Sequence, residues 1–118
     1  MKRHVLVAWL AFGMLATAQT PNLSSDFEYV RHTMVLSDSY VPKGGYVPDA
    51  STAMAVAYAI AVPIYGRPAV DAEKPLRTEL KDGKWLVLGT LHGPGIGGTL
   101  IVSIDQMTGK ILYLNHSM

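Results

Sequence analysis

Gly45-Tyr46-Val47-Pro48-Asp49 at one end and Pro63-Ile64-Tyr65-Gly66 at the other enclose the one segment of clear helical spacing in this chain. Asp49 is a natural N-cap, because its carboxylate accepts hydrogen bonds from the unpaired amides of a first helical turn and favours the positive end of the helix dipole. Pro48 keeps the entering chain extended. At the far end Pro63 has no amide to give the helix, and Gly66 can take the left-handed conformation that closes helix ends. A helix over about 50 to 65 follows, kinked or stopped near Pro63. Within it Ala53, Val56, Ala57, Ile60 and Ile64 form one apolar stripe, with Met54, Tyr58, Ala61 and Tyr65 beside it. So many alanines allow close approach to a sheet, and core packing is the reading that fits them.

Working outward, the chain after Gly66-Arg67-Pro68 reads as strands at about 75 to 81, 84 to 92, 98 to 105 and 110 to 116. Asp82-Gly83 signals a two-residue hairpin, since both turn positions need positive φ. Gly93-Pro94-Gly95-Ile96-Gly97-Gly98 separates the second strand from the third, and Gln106-Met107-Thr108-Gly109 turns the third into the fourth. The fold class expected is α+β: one main helix packed on a curved four-stranded antiparallel sheet, with an N-terminal arm. In that arm Ser24-Ser25-Asp26 caps a short helix from Phe27 to Leu36, slightly preferred over a strand, and Ser37 to Gly45 is a linker.

These motifs, with Ala53, Pro75, Leu80, Trp85, Gly89-Thr90, Gly97-Gly98, Gly109-Lys110 and His116, resemble the bacterial immunity proteins of the nuclear transport factor two-like fold. The resemblance runs from about Gly44 to His116. It implies a cone-like, cystatin-like or nuclear transport factor two-like shape and a small binding protein that neutralises a cognate protein toxin by occupying it. It supplies no catalytic residues to carry over, and no cofactor or metal is expected.

The start of the chain has the three parts of a secretory signal: basic Lys2-Arg3-His4, an apolar run from Val5 to Leu15, and the small-x-small site Ala16-Thr17-Ala18. An uncleaved anchor is the competing reading. The domains expected are a signal peptide at 1–18, an arm and linker at 19–44, and an α+β domain at 45–118. With no Cys there is no lipid-attachment cysteine and no disulfide framework. Removing Lys2 and Arg3 turns ten basic and nine acidic residues into eight and nine. A mature charge near minus one argues against nucleic acid or an anionic membrane as partner. The expected address is periplasmic or secreted.

The feature that points to a partner is apolar surface in excess. The Asp82-Gly83 turn sets Lys81 opposite Lys84, Leu80 opposite Trp85, Thr78 opposite Val87 and Leu76 opposite Gly89. Leu76, Leu80, Trp85, Val87 and Leu91 then face the helix, and Leu86, Leu88, Thr90 and His92 face away beside Arg77, Glu79 and Lys81. A four-residue second turn pairs Ile104 with Ile111, Val102 with Tyr113 and Ile101 with Leu114, so Ile101, Leu112 and Leu114 also face away. One helix covers one face. Each wet Leu or Ile on the other forgoes roughly 1.5 to 3 kcal/mol. Its cover is the arm, through Phe27, Val30 and Met34, or the toxin, or a second copy of the chain forming a homo-oligomer. The candidate partner-binding residues are Tyr65, Arg67, Leu86, Leu88, His92 and Gly95, Gly95 standing for the 93–98 loop, with Tyr65 equally a core residue at the helix end.

His32, His92 and His116 are scattered, which argues against zinc. The glycine loop joins two strands and lacks a following Lys-Ser or Lys-Thr, so it is no phosphate loop. The helix-facing surface offers Thr78, Trp85 and Tyr58 but no carboxylate or histidine, so acid-base catalysis has no constellation. A small-ligand cavity protein or enzyme of the same fold is the alternative. A second alternative is a peptidase-inhibitor-like module, because Ile101 to Asp105 with Thr108-Gly109-Lys110-Ile111-Leu112 is similar to the closing hairpin of small secreted domains of that kind. That likeness leaves Tyr46-Val47-Pro48-Asp49 and Pro63-Ile64-Tyr65-Gly66 unexplained.

Overall fold

In a computed structural model the described residues are 23–94 and 98–116, and the signal-like segment 1–18 lies outside them. The chain divides into two units, 1–40 and 41–118. In the first, helix α1 (Leu23–Leu36) starts earlier than Ser24-Ser25-Asp26 suggests, with Asp26 inside its first turn. Arg31 pairs with Glu28 at 2.9 Å, and Phe27, Val30 and Met34 are exposed.

The second unit holds α2 (Ala50–Tyr65), α3 (Arg67–Asp71), β1 (Arg77–Lys81), β2 (Lys84–Leu88), β3 (Leu100–Asp105) and β4 (Ile111–His116). The strands form an antiparallel meander in the order β1-β2-β3-β4, and α2 packs against β1, β2 and β3. This is the α+β architecture expected, helices on one open antiparallel sheet.

The caps of α2 follow the sequence. Asp49 Oδ1 accepts from the Thr52 amide at 2.8 Å, and the Gly66 amide closes the helix on the Val62 carbonyl at 2.8 Å. Pro63 does not end the helix, which runs two residues further to Tyr65. The buried stripe is narrower than the sequence suggests: Ala53, Ala57 and Ala61 are fully buried, whereas Ile64 is 58% exposed. Methyl side chains let the helix backbone approach the sheet, and larger residues at those positions would hold it off.

Gly45-Tyr46-Val47-Pro48-Asp49 proves to be an anchoring strap. The Tyr46 and Val47 amides bond to the Met107 and Gln106 carbonyls at the β3–β4 turn. The buried Trp85 indole nitrogen donates to the Val47 carbonyl at 2.7 Å. Gly45 lies so close to that turn that a Cβ would sit 2.7 Å from Met107 Cα, which excludes any other residue without a shift.

The first hairpin has the expected register, Leu80 opposite Trp85 and Thr78 opposite Val87, with positive φ at Asp82 (51°) and Gly83 (73°). β2 ends at Leu88, short of the expected 92. Beyond it the Thr90 amide turns to the Glu73 carbonyl at 2.7 Å instead of to β3, and Leu91 is exposed.

The second hairpin corrects the expected register. Ile104 pairs with Ile111 as expected, but a bulge at Leu112 places Tyr113 opposite Ser103 and Leu114 opposite Val102. One extra residue reverses the faces of all that follow. Leu114 therefore packs on the core and Tyr113 is 50% exposed, the opposite of the expected assignment. The core gathers Trp85, Val87, Leu100, Val102 and Ile104 under the alanines of α2, with Val70 of α3 and Val47 of the strap.

Candidate functional site

The outward face of the sheet is more polar than the sequence suggests, because the bulge withdraws Leu114. Arg77, Leu88, Ile101 and Asn115 form one row across it, and Glu79, Leu86, Ser103 and Tyr113 the next. Leu86, Leu88 and Ile101 are half-buried by these neighbours. Arg77 closes one side by donating to the Gly89 carbonyl at 2.8 Å, beside a hollow of about 200 Å³ lined by Arg77, Thr78, Glu79, Leu86 and Leu88.

A larger concavity lies on the other side of the layer. Met54, Ala55 and Tyr58 of α2, with Lys74-Pro75-Leu76 between α3 and β1, line an open groove of about 680 Å³. Helical spacing sets Met54 and Tyr58 one turn apart on one face of α2. Segment 74–76 is drawn alongside because Thr90 donates to the Pro75 carbonyl through its hydroxyl, and the His92 ring meets the Lys74 carbonyl at 2.6 Å.

Tyr58 is half-buried against the core, as expected of the sheet-facing surface, and its hydroxyl end is the polar centre of this groove. Its hydroxyl donates to Asp71 Oδ1 at 2.8 Å and accepts from Arg67 Nη1 at 2.8 Å. Lys74 Nζ stands 4.7 Å from the ring centroid and 3.2 Å from Asp71 Oδ1. The Arg67 guanidinium is 5.7 Å from the same centroid. The Tyr58 hydroxyl, followed by Lys74, holds the Asp71 carboxyl below its ordinary range. Two cations thus share one aromatic ring and one carboxylate, leaving a positive excess beside an apolar floor.

The candidate residues fall into separate places. Arg67 and His92 are brought to the groove through Tyr58 and Lys74, neither of which the sequence singled out as a contact. Leu86 and Leu88 are together on the outward sheet face. The Tyr65 ring packs against His116, centroids 5.4 Å apart, at the end of α2. Gly95 lies outside the described residues.

One ionisable pair was also missed. Glu73, 9% exposed, receives the Leu100 amide on Oε1 at 2.6 Å, and its Oε2 lies 2.6 Å from His116 Nε2. His116 enters from β4 because the bulge returns it to the core face opposite Leu100. The sheet-facing side therefore does contain a carboxylate and a histidine. Their bonds go to backbone and to each other, which is a clamp holding α3 to the open end of β3 and β4. Among the described residues no three His, Cys, Asp or Glu side chains are grouped to hold a metal ion, and no helix is long and apolar enough to cross a membrane.

Helices on one face of a four-stranded antiparallel meander define an α+β protein of nuclear transport factor two-like build. The chain belongs to the NTF2 fold immunity protein family, whose model matches residues 52–118, more than half of its length. That span includes Pro63-Ile64-Tyr65-Gly66 and all four strands, and begins just after the Gly45 to Asp49 strap. The chain is also similar to an uncharacterized Escherichia coli K12 protein, YhhH, with 38% identity over 53 residues, 44% of this chain. The matched part is 42% of that relative's length, less than half. No solved structure matches the chain.

Proposed function

We propose that this chain is an immunity protein that binds a cognate bacterial toxin and neutralises it by occlusion, one to one and without turnover. The observation that carries this reading is the match of residues 52–118 to the immunity family. Support comes from the composition of the exposed surfaces. Tyrosine and arginine beside apolar side chains are the residue types that dominate the energy of protein interfaces.

The proposed contacts fall into two groups. Arg67 and His92 belong with Tyr58 and Lys74 at the groove, and Leu86 and Leu88 belong to a second, charge-ringed patch; Gly95, outside the described residues, is proposed as a contact from the sequence alone. Tyr65 serves mainly to hold the helix end through His116. The leader-like start, Lys2 to Ala18, supports a periplasmic or secreted address, which suits a toxin acting on the cell wall or membrane.

The test is co-expression of the full chain with the products of adjacent genes. The expected result is one product that kills alone, is harmless with this chain, and co-purifies with it in equal amounts. Deleting residues 1–18 should abolish protection while leaving the complex intact in vitro. If no neighbouring product is toxic, or the full chain neither protects nor binds, the reading is wrong.

A further inference from the structure

The groove on α2 has a chemistry specific enough to name what it takes. Its lining is Met54, Ala55, Tyr58, Lys74, Pro75 and Leu76, with no acidic side chain among them. The floor is therefore apolar, and Lys74 is its one charged member. At the Tyr58 end stands the four-residue cluster in which Asp71 is already engaged by the Tyr58 hydroxyl and by Lys74. Arg67 is exposed and donates to the Tyr58 hydroxyl through Nη1, a single use of a guanidinium that carries five N–H donors.

We propose that this groove seats a segment of the partner protein in which an acidic side chain stands next to bulky apolar ones, the carboxylate meeting Arg67 and Lys74 and the apolar groups resting on Met54, Ala55 and Leu76. The proposal takes from the immunity reading only that the partner is a protein. Three observations carry it. The volume, about 680 Å³, lies within the range of about 300–1,000 Å³ typical of ligand-sized clefts. Lys74 pairs with Asp71 and Arg67 bonds to the same Tyr58 hydroxyl that Asp71 accepts from, two cations to one carboxylate, so the local field favours an anion. The Tyr58 ring is fixed from both ends, by its hydroxyl bonds and by the cations over its face, so binding loses little side-chain freedom.

The surroundings select against other anions. A nucleic acid would present a row of phosphates, whereas the cations here are a local pair bordered by Met54, Pro75 and Leu76. An isolated carboxylate would leave the apolar floor wet. Methionine adds tolerance, since its flexible thioether adapts to different apolar side chains. The acidic position should thus be the strict requirement and the apolar residues the tolerant one.

The test uses ¹⁵N-labelled protein titrated with acetyl-Phe-Asp-Leu-amide, with acetyl-Phe-Lys-Leu-amide, and with decanoate as a small amphiphile. The expected result is saturable shift changes at the amides of Met54, Ala55, Tyr58 and Leu76 with the Asp peptide, binding at least five-fold tighter than the Lys peptide. Arg67→Glu with Lys74→Glu should reverse that preference. Ala55→Arg, a good helix former at an exposed position, should fill the groove and abolish binding while leaving the spectrum folded.

Equal binding of the two peptides, no response at those amides, or a response to decanoate alone would overturn the proposal, the last marking a small-molecule site instead. A toxin protection assay separates this from the immunity reading. Peptide selectivity without protection leaves the groove and removes the toxin. Full protection and unchanged toxin affinity by Arg67→Glu with Lys74→Glu removes the groove and leaves the toxin.

Discussion

His116 and Glu73, far apart in the chain, meet at 2.6 Å, and the same Glu73 carboxylate takes the Leu100 amide at 2.6 Å. One side chain thereby joins the turn after α3 to the first residue of β3 and the last of β4. Glu73 has two partners in this arrangement and His116 has one carboxylate. Glu73→Ala strands a buried amide and should cost about 3 kcal/mol, by the usual penalties for a broken buried pair and an unsatisfied donor. His116→Ala breaks the same pair but keeps the Leu100 bond, and should cost about 2 kcal/mol. Urea unfolding midpoints check the order. Equal losses would mean that the Leu100 bond adds nothing.

Gly89 faces this carboxylate so closely that an added Cβ would lie 3.0 Å from Glu73 Cβ and collide with its Oε1. Gly89→Ala should therefore destabilise by about 1–3 kcal/mol through overpacking. In a Glu73→Ala background the collision with Oε1 is removed and only the approach to Cβ remains, so part of that cost should disappear. A double-mutant cycle by chemical denaturation reads the coupling, and strict additivity would show that the strain lies elsewhere.

The bulge at Leu112 makes opposite forecasts for two adjacent positions. Leu114→Asp buries a charge opposite Val102 and should prevent folding or cost several kcal/mol, whereas Tyr113→Asp, on the solvent face opposite Ser103, should change stability by about 0.5 kcal/mol or less. Circular dichroism melts of the two variants settle it. The unbulged register predicts the reverse order.

The Asp49 carboxyl is lowered below its ordinary 3.8, first by the Thr52 hydroxyl, then by the Thr52 amide and Ser51. A folded-state value below the unfolded one means that the carboxylate stabilises the fold above the unfolded value and loses that contribution as pH falls through the folded one. Asp49→Ala should lower the Tm at neutral pH and flatten the loss of Tm between about pH 4 and pH 2. Parallel melts across that range would show no such flattening if the cap were dispensable.

Much of the architecture was legible because it rests on local chemistry. Asp49 and Gly66 mark the ends of α2 by what their own side chain and backbone can do, and Asp82-Gly83 fixes the first hairpin by its two positive φ angles. Register across that hairpin then follows from the turn alone. The second hairpin was not legible in the same way. The turn Gln106-Met107-Thr108-Gly109 does not set the pairing by itself, because the extra residue at Leu112 is absorbed further along, where Leu114 gains burial that Tyr113 forgoes.

The candidate surface divides along the same line. Leu86 and Leu88 were placed correctly on the outward face because strand alternation needs only the register of one hairpin. Tyr58 and Lys74 were missed because they are sixteen positions apart in sequence order and meet only where segment 74–76 returns beside α2. Met54 and Tyr58, one turn apart on that helix, were the signal available.

By itself the sequence determined the helix, its caps and the first hairpin, since each is an interaction between residues a few positions apart, and its turn residues marked the order of the strands. Tertiary structure alone decided the bulge, the Glu73–His116 clamp and the groove around Tyr58. Each depends on which distant groups arrive together when apolar area is buried and every enclosed polar atom finds a partner, and that balance is struck over the whole domain.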